Sequence, residues 1–503
     1  MAERGARSVG AAVAVAAMAL GGVCAPGALA ADSDLEWYIN DTGVRDAWSE
    51  GLDGSGVKVA VIDSAVVSDH PSLADADISY DIAFADDDAH TSCTVTTYLQ
   101  TKVQLSKEQP FIARGQVDGM VSSHGTQMVA MIVGNGKGYD GGAGIQGVAP
   151  KASVQAWAYT VDDDNPSGLT NWCTDDGPFG PTVVDAFTQA VDSGARIVNM
   201  SLVSDATPST DVYIKALRRG LVMVAGRANS TDPGANDMVG EPSKLTYMPG
   251  MVVTNAVDRD GNLQSVSDVK DGNVAIVAPG VGVTGYRTYT ARQVSGADGT
   301  SKSTALVSGY LALVMQKWPK ATGNQVLQSL VRNTKDNDTG EAQLDPEHKT
   351  GFGQIDLAKL LKTDPSQYPD INPLLAEAVE RSDQHEETKG MYTSRDSWDP
   401  NNTYGKTDPF PYSIEVTRDD SKINDEYQRQ KAAWKQVEQC RKDGAKDCMQ
   451  YSATANADRD EPLTYKSSSN AALWVGIAAA VAVAAVVEAV FVVRSRKHKT
   501  GKA

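Results

Sequence analysis

From about Val57 to Ala358 the chain alternates short apolar runs with helical stretches. The runs "VKVAVID", "SVQAWAY", "RIVNMSL", "LVMVAG", "MVVTNAV" and "VAIVAPG" carry no polar alternation. A strand that is apolar on both faces must be covered on both, so these runs read as strands of a buried sheet. Helical patterns lie among them in "PTVVDAFTQAVDSG", "TDVYIKALRRG" and "SKSTALVSGYLALVMQKW". Such interleaving predicts an α/β fold, a mostly parallel twisted sheet with helices on both faces. Residues 31–362 are expected to form that single domain, and its length allows an ample core.

The two ends read differently. Arg4 and Arg7 precede the Ala/Val-rich "VGAAVAVAAMALGGV", and Ala28-Leu29-Ala30 follows as a small-x-small site. Residues 1–30 therefore read as a secretory signal peptide. Residues 471–493, "AALWVGIAAAVAVAAVVEAVFVV", are interrupted only by Glu488. As a helix this segment is roughly 34 Å long, enough for a bilayer core. The basic "RSRKHKTGK" follows it, which predicts a cytoplasmic tail over 494–503. The expectation is a single-pass protein of the cell membrane with its main domain outside. Residues 363–470 are polar and read as an extension and stalk. Within them "INDEYQRQKAAWKQVEQCRKDGAKDC" reads as one exposed helix closed by a disulfide.

Of the five cysteines, Cys24 falls in the signal segment. Cys93, Cys173, Cys440 and Cys448 remain, and an even count in an exported chain suggests disulfides. The expected pairs are Cys93–Cys173 and Cys440–Cys448. The formal charge of −18 argues for a soluble surface and against nucleic-acid binding. The acidic runs Asp86–Asp88 and Asp162–Asp164 read as solvated loops, and neither a metal nor a cofactor is expected.

Three residues carry the candidate chemistry. Asp63 ends the run "VKVAVID", and ligands of open parallel sheets bind beyond the carboxyl ends of strands. His124 stands in "SSHGTQMVAMIVG", at a junction of loop and helix. A carboxylate at Asp63 could hold an imidazole in one tautomer. Ser301 stands in "GTSKSTALVSG", ahead of an apolar helix, where a serine is either a helix cap or a nucleophile. His70, in "DHPSL", reads as structural.

With "VAVID", "HGT" and "GTS" in this order, the chain resembles the subtilisin-like serine peptidases, whose Asp–His–Ser order it matches. "HPSL", "GVAP" at Gly147–Pro150, "RIVNMSL", "VAPG" at Val277–Gly280 and "GFGQID" at Gly351–Asp356 belong to the same resemblance, which covers about residues 35–362. It implies that Asp63 orients, that His124 is the general base and that Ser301 attacks a peptide carbonyl. It also implies that Asn229, in "VMVAGRAN", donates to the oxyanion together with the Ser301 N–H.

The sequence departs from the family pattern at several positions. Ala228 replaces a glycine before the Asn. Ala305 and Leu306 stand where Pro and His are frequent. In the cleft segment Ser201-Leu202-Val203-Ser204, Val203 and Ser204 replace two glycines, which is expected to narrow the cleft. The short segment before Asp63 leaves no room for an inhibitory propeptide domain. Together with the signal peptide, the loop containing Cys93 and the terminal anchor, this resembles the mycosins, the membrane-anchored subtilases of type VII secretion systems. The expected function is a membrane-anchored, extracytoplasmic serine endopeptidase of narrow specificity linked to protein secretion, with a peptide substrate and secretion-complex membrane proteins as partners. The alternative is a scaffold of the same fold that stabilises a secretion complex, with proteolysis incidental.

Overall fold

A computed structural model of the chain describes residues 34–83, 92–96, 102–112, 124–160, 182–202, 204, 206–227, 229, 244–264, 274–287, 290–345, 349–384 and 421–466. Two short helices, α1 (Trp37–Asn40) and α2 (Val44–Ser49), lead into β1 (Lys58–Ser64) and β2 (Ile78–Ile82). A hairpin of β3 (Ser92–Thr96) and β4 (Lys102–Ser106) precedes α3 (His124–Val133). A second hairpin, β5 (Asn135–Lys137) and β6 (Ala143–Gln146), leads to β7 (Ser153–Thr160). Then come α4 (Val183–Asp192), β8 (Ile197–Met200), α5 (Thr210–Arg218), β9 (Val222–Gly226), β10 (Val252–Val257) and β11 (Val274–Pro279). A third hairpin, β12 (Val283–Arg287) and β13 (Thr290–Ala297), runs into α6 (Thr300–Lys317). The remaining helices are α7 (Gly323–Arg332), α8 (Leu357–Lys362), α9 (Pro373–Gln384) and α10 (Ser421–Lys442).

The six apolar runs read as strands are β1, β7, β8, β9, β10 and β11. With β2 they form one sheet in the order β11-β10-β9-β8-β1-β7-β2. Every neighbouring pair in it is parallel. β2 lies at the edge and mixes half-buried with exposed residues, so it lacks the apolar run that marks the others.

The period of two along each strand sorts side chains to two faces. Val59, Val61, Ile197, Val222 and Val224 join α3 and α6 in one core cluster. Ala60, Ile62, Val198, Met200, Met223 and Ala225 join α4 and α5 in the other. Helix α6 is buried from Ser303 through Met315 without a polar stripe to solvent, as expected of a helix wrapped on all sides. After β1 the chain builds β2 and β7 on one side, then crosses to β8 on the other. The strand order therefore reverses beside β1, and the carboxyl ends of β1 and β8 border the crevice where such sheets bind ligands.

Residues 363–384 and 421–466 are part of this packing. The sequence reads as an exposed helix over α10, yet Ile423, Tyr427, Gln430, Trp434 and Val437 are buried at spacings of four and three, the stripe of a docked helix. Ile423 and Tyr427 join the core beneath α5. Glu426 accepts from Arg218 of α5 (3.1 Å) and from Arg429 (3.1 Å). Burial pushes the Glu426 carboxyl above its usual range against the pull of Arg429 and Arg218, and burial lowers Arg429. Buried Asp370 takes hydrogen bonds from Thr322 (2.6 Å), Asn324 (3.1 Å) and Thr454 (2.8 Å), joining α7 to the last segment.

The expected Cys440–Cys448 disulfide is present, with Cα atoms 5.6 Å apart. The Cys93–Cys173 pair, residues 1–30, the 471–493 span and the 494–503 tail lie outside the side chains or residues described. Among the described residues, no helix is long and apolar enough to cross a membrane.

Removing one member of a buried ion pair leaves the other uncompensated, which costs about 3–5 kcal/mol. Glu426→Gln, which leaves buried Arg429 without its carboxylate partner, should therefore lower the chemical-denaturation midpoint clearly. Lys215→Ala, which breaks an exposed contact with Asp192, should leave it nearly unchanged. Equal midpoints for the two variants would show that the buried cluster does not hold α10.

Candidate active site

Three chain segments meet at the carboxyl edge of the sheet. The first is the end of β1. Asp63 lies on the same face as Val59 and Val61, toward α3, and its side chain is 2% exposed. The Ser64 N–H donates to Asp63 Oδ1 (2.8 Å). The second is the start of α3. The Gly125 N–H donates to Ser64 Oγ (2.9 Å), which docks the first turn of α3 onto the end of β1. Only a glycine permits that approach, because a Cβ at Gly125 would lie 2.0 Å from the Ser64 carbonyl oxygen.

This docking sets His124 beside Asp63. An ionised carboxylate can only accept, so His124 Nδ1–H donates to Asp63 Oδ1, at 2.8 Å. That tautomer leaves Nε2 with its lone pair. Asp63 Oδ2 is buried and takes no hydrogen bond among the described residues, so there the carboxylate's one strong partner from another segment is the imidazole.

The third segment is the N-terminus of α6. Ser301 is its second residue, and the helix lacks an earlier turn to satisfy the Ser301 N–H. Ser301 and Ser201 bind each other reciprocally. Ser301 Oγ donates to the Ser201 carbonyl (3.1 Å), and Ser201 Oγ donates to the Ser301 carbonyl (2.9 Å). The Ser301 proton is therefore directed at Ser201 and must be redirected to reach His124. Hydroxyl contacts of this kind often tighten only with substrate bound.

Behind this pair lies a polar chain that sequence reasoning missed. Asn199 of β8 is fully buried. Its Nδ2 donates to Ser201 Oγ (3.0 Å), and its Oδ1 accepts from Ser308 Oγ (3.0 Å) of α6. An amide inside the apolar run "RIVNMSL" was the available signal, since a buried amide needs specific partners.

Asn229 follows β9. Its Oδ1 accepts from the Thr300 N–H (3.1 Å) and from Thr300 Oγ1 (3.3 Å). Thr300 Oγ1 also donates to the Arg227 carbonyl. The amide oxygen is thus pinned to the helix start, and the whole Asn229 amide lies beside the N-cap Gly299, whose ideal Cβ would lie 3.8 Å from Nδ2 and 3.9 Å from Oδ1. Of the expected cleft residues, Leu202 is buried and Ser204 folds on itself, with the Ala206 N–H donating to Ser204 Oγ (3.1 Å). Val203 lies outside the described residues, as does Ala228. His70 is fully buried, accepts from the Ser72 N–H through Nδ1 (3.1 Å) and packs between Tyr139 and Tyr286.

The subtilase family pattern matches residues 54–353. The chain belongs to the subtilase family. It is similar to subtilisin NAT of Bacillus subtilis subsp. natto, 29% identical over 284 residues that make up 56% of this chain and 61% of that protein. It is also similar to a thermostable alkaline protease of Halalkalibacterium halodurans, 27% identical over 59% of this chain and 67% of that one. The chain thus spans about three-fifths of the length of the first of these relatives. Among solved structures, MycP1 with the N-terminal propeptide removed matches with a TM-score of 0.44 and 20% identity, over 66% of this chain and 99% of that chain. The shared family accounts for the parallel sheet and for the meeting of β1, α3 and α6 at its edge.

The close approach at Gly125 gives a direct check on this construction. Gly125→Ala must push α3 away from the end of β1, and strain of this kind costs about 1–3 kcal/mol. A lowered urea midpoint is expected. An unchanged midpoint would mean that α3 does not sit against the Ser64 carbonyl.

Proposed function

We propose that this subtilase is a serine endopeptidase that works through Asp63, His124 and Ser301, with Asn229 as oxyanion donor. The observation that carries the reading is the 2.8 Å contact between His124 Nδ1 and buried Asp63 Oδ1, at the same sheet edge as the start of α6.

The steps follow from the geometry. His124 Nε2 takes the Ser301 proton as Oγ forms a bond to the substrate carbonyl carbon. The Asp63 carboxylate stabilises the imidazolium and stays ionised. The carbonyl oxygen becomes an oxyanion that accepts from the Asn229 amide and the Ser301 N–H, at a helix terminus that favours negative charge. The imidazolium then protonates the leaving amine, the C–N bond breaks, and an acyl-serine remains. Water, deprotonated by His124, releases the acid and regenerates Ser301. The Asn199–Ser201–Ser308 chain supports this by fixing the backbone on either side of the nucleophile.

The finer reading is a membrane-anchored, extracytoplasmic enzyme of narrow specificity, similar to the mycosins and acting on peptides linked to protein secretion. The signal-like residues 1–30 and the apolar 471–493 segment followed by "RSRKHKTGK" support it. Val203 and Ser204, in place of two glycines, support the narrow specificity. The same two substitutions favour the second reading, a scaffold in which cleavage is incidental. Replacing both with glycine should broaden the set of peptides cleaved from a diverse library, and an identical set would refute the narrowed cleft.

Ser301→Ala, His124→Ala and Asp63→Asn should each remove most peptidase activity. Combining them should cost little more, because such groups act as a unit in subtilisin itself. Asn229→Ala should lower kcat about 10²–10³-fold, the loss known from subtilisin's own oxyanion asparagine. A fluorophosphonate probe should label Ser301 in the wild-type protein and nothing in Ser301→Ala. Additive losses, or full activity in Ser301→Ala, would refute the assignment.

A further inference from the structure

Lys302 follows the proposed nucleophile in the chain, and its placement breaks two local rules. It is only 8% exposed, whereas lysine is seldom buried. It also lies in the first turn of α6, where the helix dipole opposes a cation. A residue that violates two rules beside a reactive group is a candidate for function.

The position of its head group says which function. The lysine stem passes β12, with Cε 3.6 Å from the ideal Cβ position of Gly285. Its Nζ then lies 3.6 Å from the ideal Cβ position of Gly299, the same point that Asn229 approaches with Nδ2 at 3.8 Å and Oδ1 at 3.9 Å. The ammonium and the Asn229 amide therefore border one small volume at Gly299, the residue that precedes Thr300 and Ser301 in the chain. Gly299 has φ +147°, so this position disfavours any side chain that would fill the volume. An ammonium has three N–H donors, and in a buried site it acts on a nearby developing charge far more strongly than in water.

We propose that Lys302 is a further catalytic residue, whose ammonium joins Asn229 in stabilising the tetrahedral oxyanion. This rests on the reading of Ser301 as nucleophile. Because the charge exists only in the transition state, Lys302 should contribute to kcat and hardly to KM.

The test uses the full chain in its native membrane or in detergent, with one peptide substrate for all variants. Lys302→Met keeps the length of the side chain and removes charge and donors. Lys302→Gln removes the charge but keeps a donor, and it serves if the methionine variant folds poorly. Lys302→Arg keeps both. A kcat lowered about 10- to 100-fold in Lys302→Met at unchanged KM, with Lys302→Gln between it and Lys302→Arg, is the expected result. Unchanged kcat in both uncharged variants would overturn the proposal, and so would a change confined to KM, which marks uniform substrate binding. In either case wild-type cleavage and fluorophosphonate labelling of Ser301 would leave the serine-peptidase reading standing. A wild-type protein that neither cleaves nor labels would overturn both.

Discussion

The site depends on the first turn of α6 being held fixed from several directions. Thr300 gives its N–H and its hydroxyl to the segment after β9. Ser301 exchanges hydrogen bonds with Ser201 after β8. Ser303 Oγ donates to the Ala278 carbonyl of β11 (3.2 Å), and the Thr304 hydroxyl pairs with that of Thr254 in β10 (2.7 Å). Four neighbouring strands thus each fix one residue of a single helical turn. Farther along, α6 is apolar and buried against the sheet and α3, so the turn cannot move without moving the core. A serine at a helix start is ordinarily free to cap. Here the backbone around Ser301 is fixed and only its hydroxyl can rotate, and that rotation is the motion acyl transfer needs.

The polar residues beneath α6 are costly unless paired, and they are paired. Asn199, Ser308, Thr254 and Thr304 are all fully buried, and each has a partner within 3.0 Å. A hydrogen bond of this kind adds only about 0.5–1.5 kcal/mol, whereas leaving one such group unpaired costs about 1–3 kcal/mol. The asymmetry makes the arrangement selective. Sliding α6 along the sheet would break several bonds together and restore none, so these groups specify one register for the helix that carries Ser301. The apolar contacts around them hold the layers together but would tolerate other registers.

How much of this was legible in the sequence depended on what each residue does. The strands β1 and β7 to β11 were readable because burial on both faces leaves an apolar run. The same physics hid β2, an edge strand, and the docking of the expected helix α10, whose buried stripe includes Gln430 and sits among charged residues. Asp63, His124 and Ser301 could be named from motif and order, and Asn229 from the resemblance to the family that those motifs carry. The hydrogen bonds that orient them could not, because the rotation of the Ser301 hydroxyl toward Ser201 and the pinning of Asn229 Oδ1 on Thr300 are set by contacts across more than seventy positions of chain. Lys302 stood inside the very motif that named Ser301, yet a lysine in a helix gives no signal of burial until the packing around Gly285 and Gly299 is known.

The segment beyond residue 362 bears on the same edge of the sheet. Helix α5 connects β8 to β9, whose ends carry Ser201 and Asn229. Its Arg218 is tied to Glu426 of α10, while Tyr213 of α5 donates to the Pro249 carbonyl (2.8 Å) ahead of β10. Residues 421–466 therefore bear on the helix that sets the spacing of the two strands flanking the nucleophile. A buried ion pair gives little net stability against an apolar replacement, but separating its members costs about 3–5 kcal/mol. Glu426 in particular, buried among apolar neighbours and paired with two arginines, would be left uncompensated if α10 shifted along α5. Residues 421–466, which read as part of a spacer, are thereby docked on α5, the helix that links the two strands whose ends carry Ser201 and Asn229.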